Sequence, residues 1–200
     1  MVRRVASFTN HWVAFLCVAA LGCAVPVSAA AAEPALPAKL VPEGATPYLR
    51  THAFGTQKYI CLATGSGLAW RFVGPQATLF VTFIGFPQQV TTHFLSPNPE
   101  EAGLNRATWQ GSFDSSRVWA RATQMVDDAA IIGAGNIPWL LLQRVGSSRG
   151  PTGGSLLSQA TWIQRIHTAG GVAPATGCTQ STDVGALVLV PYSTDYVFFH

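Results

Sequence analysis

Short runs of aromatic and β-branched residues, separated by Gly, Pro, Ser and Asn, restrict the fold of this chain more than any other feature. Such runs are typical of β-strands, and the separating residues are typical of turns. A 3.6-residue period is absent from the long windows, although 127–134 is compatible with one helical turn. The pattern predicts an all-β domain, an antiparallel sandwich or barrel with Gly/Pro-rich loops and little helix. The predicted strands lie near 48–54, 57–63, 68–73, 77–84, 88–94, 106–110, 116–123, 137–145, 159–168, 184–190 and 194–199.

Residues 1–29 have the composition of a secretory signal peptide. A pair of arginines precedes an apolar run that ends in small residues, which is the order found in cleaved export signals. We therefore predict cleavage near Ala29 and a periplasmic or secreted protein, with an Ala/Pro-rich extended arm over 30–47 and a β domain over 48–200. Two variants stay open, because Cys23 lies in a loose lipoprotein cleavage box and the arginine pair loosely resembles a twin-arginine signal.

Charge is sparse and balanced in the part of the chain that would remain after export. Of the 12 Lys and Arg residues, two precede residue 30, so ten remain against nine acids. Nucleic-acid-binding domains carry a clustered basic surface, and a membrane-spanning helix needs roughly 20 apolar residues. The sequence therefore predicts no nucleic-acid partner and no membrane span.

Cys61 and Cys178 are the cysteines that follow the predicted signal peptide. Two cysteines in an exported protein most simply form one disulfide. A bond that closes so long a loop is worth about 4–5 kcal/mol in the chain-entropy model. The alternative is a pair of separate buried thiols.

Strand alternation in SRVWARA (116–122) places Arg117, Trp119 and Arg121 on one face. The opposite face, with Val118 and two alanines, is a core face of small residues. The Arg-Trp-Arg face is either a solvated outer face, which we favour, or a platform for anions or sugars, on which guanidinium groups lie over indole.

The stretch TWIQRIHTAGGVAPATGC (161–178) reads as a strand, a Gly-Gly turn and a disulfide anchor. Alternation predicts Arg165 and His167 on one face of this strand and Gln164 on the other. Both faces contain polar as well as apolar residues. We expect Arg165 to bind a carboxylate or backbone carbonyls near the Gly-Gly turn, since a partly buried guanidinium needs acceptors. Gln164 is expected to bond the backbone of a neighbouring strand, and His167 to be the most exposed and dispensable of the three.

Recognisable catalytic and metal-binding patterns are missing or weak. His52, His93 and His167 show no spacing typical of metal ligands. Ser148 satisfies G-x-S-x-G, but the PTGG that follows cannot begin a helix, so we interpret the motif as a glycine-rich loop. No two carboxylates are singled out for glycosidic chemistry. The sequence predicts no catalytic residues, no metal and no cofactor.

Six segments, in order, resemble one family of exported bacterial and fungal proteins, catalogued as domain of unknown function 3455. The resemblance covers nearly all of 40–199 and implies no established activity. The two cysteines of the family pattern match Cys61 and Cys178, which supports their pairing. The His-aromatic pair of that pattern falls on His93-Phe94, and its Thr-Trp pair falls on Thr108-Trp109. The segments are GTQKYIC (55–61), THF (92–94), TW (108–109), IPWLLLQ (137–143), TWIQRIHTAGGVAPATGC (161–178) and VPYSTDYVFF (190–199).

Two departures from the family pattern lie on either side of His93. The region before it, FVTFIGFPQQV (80–90), is unusually apolar, and SPNPEEAGLNRA (96–107) lengthens the connection to Trp109. A pocket built around these two side chains is therefore expected to be reshaped in this chain.

The leading hypothesis is a non-catalytic exported domain that binds an unknown small molecule or a component of the cell envelope. The alternatives are an enzyme of unrecognised type with His93, His167 and Arg165 as its polar centre, and a metal site made by convergent histidines. The candidate ligand-binding residues are His93, Trp109, Arg117, Trp119, Arg121, Arg165 and His167.

Overall fold

The computed structural model describes residues 35–200 and places eight antiparallel strands in a closed barrel. Each strand pairs with the next one along the chain, and β8 closes the barrel against β1. The all-β prediction is confirmed, and of its two architectures the barrel is the one formed. The strands are β1 Pro47–Thr64, β2 Gly67–Phe83, β3 Phe86–Asn98, β4 Leu104–Gly111, β5 Arg117–Val126, β6 Trp139–Ser148, β7 Trp162–Gly170 and β8 Leu187–Phe199.

Three pairs of predicted strands are single long strands in the structure. Gly55, Gly74 and Pro191, which we expected at breaks, lie inside β1, β2 and β8. A Cβ at Gly55 would collide with the backbone of Gln76, so glycine there permits close contact between β1 and β2. The pairing of β1 with β2 shifts register at Lys58, opposite Gly74, which makes Gly74 part of a bulge rather than a turn.

The helices of the described residues, 35–200, are single turns. The predicted turn within 127–134 is confirmed as α1, Ala129–Ile132, which begins where the Asp128 side chain accepts a hydrogen bond from the Ala130 N–H. Three 3₁₀ turns lie at Ala38–Leu40, Pro99–Glu101 and Ser181–Asp183. None of the helices among residues 35–200 is long and apolar enough to cross a membrane.

The described part of the predicted arm, residues 35–46, packs on the outside of the barrel wall. Leu40 is fully buried in a cluster with Trp139, Ile166 and Val197. Its carbonyl accepts a hydrogen bond of 2.7 Å from Gln164 Nε2. Gln164 therefore bonds a backbone carbonyl as expected, but that carbonyl belongs to the arm and not to a strand. The predicted signal peptide, with Cys23, lies outside the described residues and stays a prediction.

The lumen of the barrel is filled at one end, which we call the closed half. The side chains that pack there come from four strands and are Leu79, Trp109, Val118 and Phe198. Leu157, in the 149–161 connection between β6 and β7, covers them at the end of the barrel. All five are nearly or fully buried. Since apolar side chains from several strands are fully buried against one another there, this half holds much of the hydrophobic core.

Asp114 holds the covering connection in place. Its carboxylate accepts hydrogen bonds from the Ser116 backbone N–H and hydroxyl and from the Leu156 N–H. A Cβ at Gly150 would overlap the Asp114 carbonyl, so this glycine is required for packing. The G-x-S-x-G stretch is therefore the end of β6 and a structural loop, as interpreted from the sequence, with turns rather than a helix after Ser148.

The predicted disulfide between Cys61 and Cys178 is confirmed. Cys61 lies near the end of β1 and Cys178 lies in the connection between β7 and β8. The bond therefore fixes that connection to the wall at the end of the barrel opposite Leu157.

Candidate ligand-binding site

A cavity of about 390 Å³ occupies the other end of the lumen, which we call the open half. All eight strands contribute to its wall. The apolar part of the wall comes mainly from Leu95, Leu140, Leu142 and Phe72. Its size lies within the range of about 300–1,000 Å³ that small-molecule pockets span.

Two neighbouring pairs of inward residues explain why the lumen changes from filled to hollow. Trp109 lies opposite Val118 in the β4–β5 pairing, and Ala107 lies opposite Ala120 one step nearer the open end. The large pair fills the space between the walls, whereas the alanine pair leaves it empty. The cavity thus begins where the inward side chains become small.

His93 forms part of the boundary between the two halves. Its ring stacks on Trp109 with a centroid separation of 4.2 Å and an interplanar angle of 12°. Its Nδ1 lies 2.9 Å from the Thr108 carbonyl oxygen, which can only accept, so Nδ1 is protonated and Nε2 has the lone pair. Burial lowers the pKa of His93 to about 3, with a further lowering by the Arg165 charge and an opposing effect of the Thr108 bond. The ring is therefore neutral and a weak base near neutral pH.

Arg165 places a cationic group in the lumen. Its Nε and Nη2 donate to the Pro138 carbonyl at 3.1 and 2.8 Å. Pro138 follows Ile137, whose N–H bonds the Gly170 carbonyl, so the expected bond to a backbone carbonyl near the Gly-Gly turn is confirmed. Among residues 35–200 no carboxylate forms an ion pair with this guanidinium. Burial raises the pKa of Tyr196, and the Arg165 charge acts in the opposite direction.

Three side-chain N–H groups among residues 35–200 are buried without a hydrogen-bond partner, namely Gln57 Nε2, Trp109 Nε1 and, away from the cavity, Trp139 Nε1. The Tyr196 hydroxyl lies close to Arg165 and to the Tyr192 hydroxyl. A buried polar atom without a partner costs about 1–3 kcal/mol, and native structures contain few of them. Gln57 and Trp109 line the cavity through other atoms, since these two nitrogens have almost no accessible surface.

The rim of the cavity contains two further arginines. Arg106 donates to both oxygens of Glu101, through Nε at 2.7 Å and Nη2 at 2.6 Å. The pKa of Glu101 falls to about 2, first because of this bond, then because of a bond from Asn98, with a smaller effect of the Arg121 charge. Arg121 is exposed at the rim. Glu101 thus offsets one of the two rim cations.

The Arg-Trp-Arg face does not act as a unit. Trp119 is only 3% exposed and its Nε1 donates to Ser96 Oγ, so the expectation of a solvated outer face is wrong at this residue. Arg117 Nε donates to Gln110. Neither side chain lines the cavity, whereas Arg121 does. The opposite face is turned inward as predicted, with Val118 in the closed half.

His167 lies outside the lumen, although alternation placed it on the face of Arg165. It has φ 51°, and the pairing of β7 with β8 shifts register between Ile166 and Ala169, which turns its side chain outward. Its Nδ1 lies 2.9 Å from Asp195 Oδ2, and His52 Nδ1 lies 2.6 Å from Asp195 Oδ1.

Four of the predicted site residues line the cavity, namely His93, Trp109, Arg121 and Arg165. His93 and His167 are separated by the barrel wall, so the polar centre expected from His93, His167 and Arg165 is divided. In the part of the chain described, no group of three or more His, Cys, Asp or Glu is placed to hold a metal ion.

Sequence reasoning missed Gln57 and Tyr196 as wall residues. The signal for Tyr196 was present, because Tyr192, Thr194, Tyr196 and Phe198 recur every second residue and so share one face of β8. Gln57 lies between Thr56 and Lys58, and no local pattern marks it as buried.

Fold and cavity define a disulfide-linked antiparallel β-barrel whose lumen is filled at one end and hollow at the other. A family model described as protein of unknown function (DUF3455) matches residues 42–200. The chain belongs to this family, which confirms the resemblance found in the sequence. No curated protein and no solved structure matched the chain.

Proposed function

We propose that this protein is an exported binding protein that holds a small, partly apolar molecule in the open half of its barrel. The observation that supports this most directly is the cavity of about 390 Å³, to which every strand contributes and whose wall combines apolar side chains with the Arg165 guanidinium. A ligand there would bury apolar surface and contact a fixed polar group at once, which is how small-molecule sites combine affinity with specificity.

The wall chemistry favours binding over catalysis. In the described range 35–200, the residues that line the cavity include no Ser, Cys, Lys, Asp or Glu. His93 is the one histidine among them, and its low pKa makes it a poor general base near neutral pH. An enzyme would need a nucleophile or an acid–base pair at this place.

Export is the second part of the proposal. The pattern of residues 1–29 and the disulfide both suit an oxidising compartment outside the cytoplasm. The intact mass of protein recovered from the periplasm or medium should correspond to loss of residues up to about Ala29. A retained N-terminus would contradict export by cleavage, and a diacylated Cys23 would replace it by lipoprotein anchoring.

The binding site can be tested with two fluorescent probes, the neutral N-phenyl-1-naphthylamine and the anionic 1-anilinonaphthalene-8-sulfonate. Ala122 lines the cavity and is exposed at its rim, so Ala122→Trp should obstruct the entrance without disturbing the core. Ala169 is also exposed but lies outside the cavity, so Ala169→Trp is the matched control.

We expect Ala122→Trp to weaken probe binding by about tenfold or more, and Ala169→Trp to change it by less than about twofold. Unchanged binding in Ala122→Trp would show that the probes bind elsewhere, and failure of both probes to bind the wild type would contradict the proposed function. Native mass spectrometry of protein purified without denaturation should show an adduct that Ala122→Trp lacks.

A further inference from the structure

We infer that the ligand of the open half is an organic anion, whose carboxylate or sulfonate group binds Arg165 and whose apolar body lies against the leucine wall. This inference rests on the proposed function, because it assigns a chemical class to the ligand of that site. It is drawn from the charges and the hydrogen-bond donors of the cavity.

Arg165 is a partly buried lumenal cation to which no carboxylate among residues 35–200 is paired. A charge removed from water is costly unless it is paired and hydrogen-bonded. The contrast with Arg106 is direct, because Arg106 has both oxygens of Glu101 at hydrogen-bond distance, whereas Arg165 has neutral neighbours, the carbonyl of Pro138 and the hydroxyl of Tyr196. Among residues 35–200 no acidic residue lines the cavity. An anionic occupant of the cavity would supply the counter-charge.

The geometry of Arg165 leaves donors free for that occupant. Guanidinium has five N–H groups, and the bonds to Pro138 engage Nε and Nη2 only. These bonds also fix the plane of the group, so that less conformational entropy is lost when a ligand binds. A carboxylate accepts two parallel N–H bonds from guanidinium, which is a strong and directional pairing.

The other polar side chains of the wall are compatible with an anionic ligand. Gln57, Trp109 and Tyr196 are uncharged, and each carries an N–H or O–H donor. His93 is neutral and brings no competing negative charge.

The charges at the rim of the cavity also favour an anionic ligand. Arg106 and Arg121 lie at the entrance, and Glu101 offsets only one of their charges. A net positive entrance in a concave surface attracts anions from solution, and this attraction weakens as salt concentration rises.

The test compares 2-naphthoate with 2-naphthamide by isothermal titration calorimetry, since the two differ chiefly in charge. We expect wild type to bind the carboxylate about tenfold or more tightly than the amide. Arg165→Gln should weaken 2-naphthoate binding by about tenfold or more and change 2-naphthamide binding by less than about threefold. The matched control is Arg71→Gln, which removes an exposed arginine that does not line the cavity and should preserve the preference.

The variants also separate charge from geometry. Arg165→Lys keeps the positive charge without the planar fork, so it should retain part of the preference for the carboxylate. Should Arg165→Gln fail to fold, the comparison of the two compounds on wild type still decides the matter.

Equal affinities of wild type for the two compounds, or a preference that survives Arg165→Gln, would overturn the inference. If the neutral fluorescent probe binds and is excluded by Ala122→Trp while 2-naphthoate shows no advantage, the anion assignment fails and the proposed function stands. If no probe binds, the proposed function itself fails.

Discussion

The closed and open halves of the lumen belong to one barrel, yet one is a packed core and the other a cavity. An eight-stranded barrel encloses a space that side chains can just fill or that can hold one small ligand. In the closed half, Trp109, Val118 and Leu157 fill it. In the open half, Ala107 and Ala120 leave it empty, and the Arg165 guanidinium reaches into it. Side-chain size along the same strands therefore decides where this protein is stabilised and where it can bind.

The two halves also differ in what they contribute to the stability of the fold. Apolar side chains in the closed half contribute stability through burial and packing. The unpartnered amide of Gln57 in the open half opposes stability. We expect variants in the two halves to respond differently, and four pairs of measurements examine this.

Leu79→Ala in the closed half should lower the free energy of unfolding by about 3–5 kcal/mol, because it leaves a new cavity in a packed region. Leu140→Ala in the cavity wall should cost only about 1–2 kcal/mol, since that side chain already faces open space. Chemical denaturation of both variants beside wild type measures the difference. Equal losses would show that the open half is as tightly packed as the closed half.

Replacing Cys61 and Cys178 together by Ala should lower stability by about 2–5 kcal/mol, because the bond closes a long loop. The sequence separation of its ends is 117 residues. The bond lies at the open end, so hydrogen exchange should accelerate first in the 172–186 connection and last around Leu157. A uniform acceleration would show that the bond stabilises both halves alike. Non-reduced mass spectrometry that found two free thiols in native protein would contradict the bond itself.

His93, at the boundary, should make stability depend on pH. Its pKa falls from 6.5 to about 3 in the folded protein. Because the unfolded state binds the proton more readily, this contribution is complete above about pH 6.5 and is lost as the pH falls towards 3. Between pH 6.5 and 5 the loss should be about 1.5 kcal/mol.

His93→Gln keeps a donor for the Thr108 carbonyl and should flatten that part of the curve. His200→Gln, which alters an exposed histidine at the chain's last residue, is the control and should not. A wild-type curve that is already flat between pH 6.5 and 5 would contradict neutral burial of His93.

Ala107→Leu should change stability by less than about 1 kcal/mol, because the cavity has room for the added carbons. It should also abolish probe binding by filling the cavity. Val118→Leu makes a smaller chemical change on the facing strand but in the packed half, and should cost about 1–3 kcal/mol. If thermal melts showed a larger loss of stability for Ala107→Leu than for Val118→Leu, the assignment of a hollow and a filled end would be wrong.

Much of the fold could be predicted because it depends on local patterns. Alternation correctly assigned Val118 to an inward face, and turn composition gave the position of most strand ends. The cysteine count was enough for the disulfide. The same local rules failed at His167, where a register shift in β7 reverses the side chain, and at Gly55, where glycine permits close strand contact instead of a turn. Bulges and close contacts depend on the partner strand, which a single segment does not reveal.

By itself, the sequence determined the all-β class, the disulfide, the family and the small-residue face of β5, since each depends on composition, spacing or two-residue alternation. Only the tertiary structure decided that the sheet closes, that Arg165 and His93 meet in one cavity while His167 lies outside, and that Gln57 and Tyr196 join them. The physical reason is that closure brings together side chains from all eight strands, and their meeting depends on register and on the volume of facing residues rather than on any single strand.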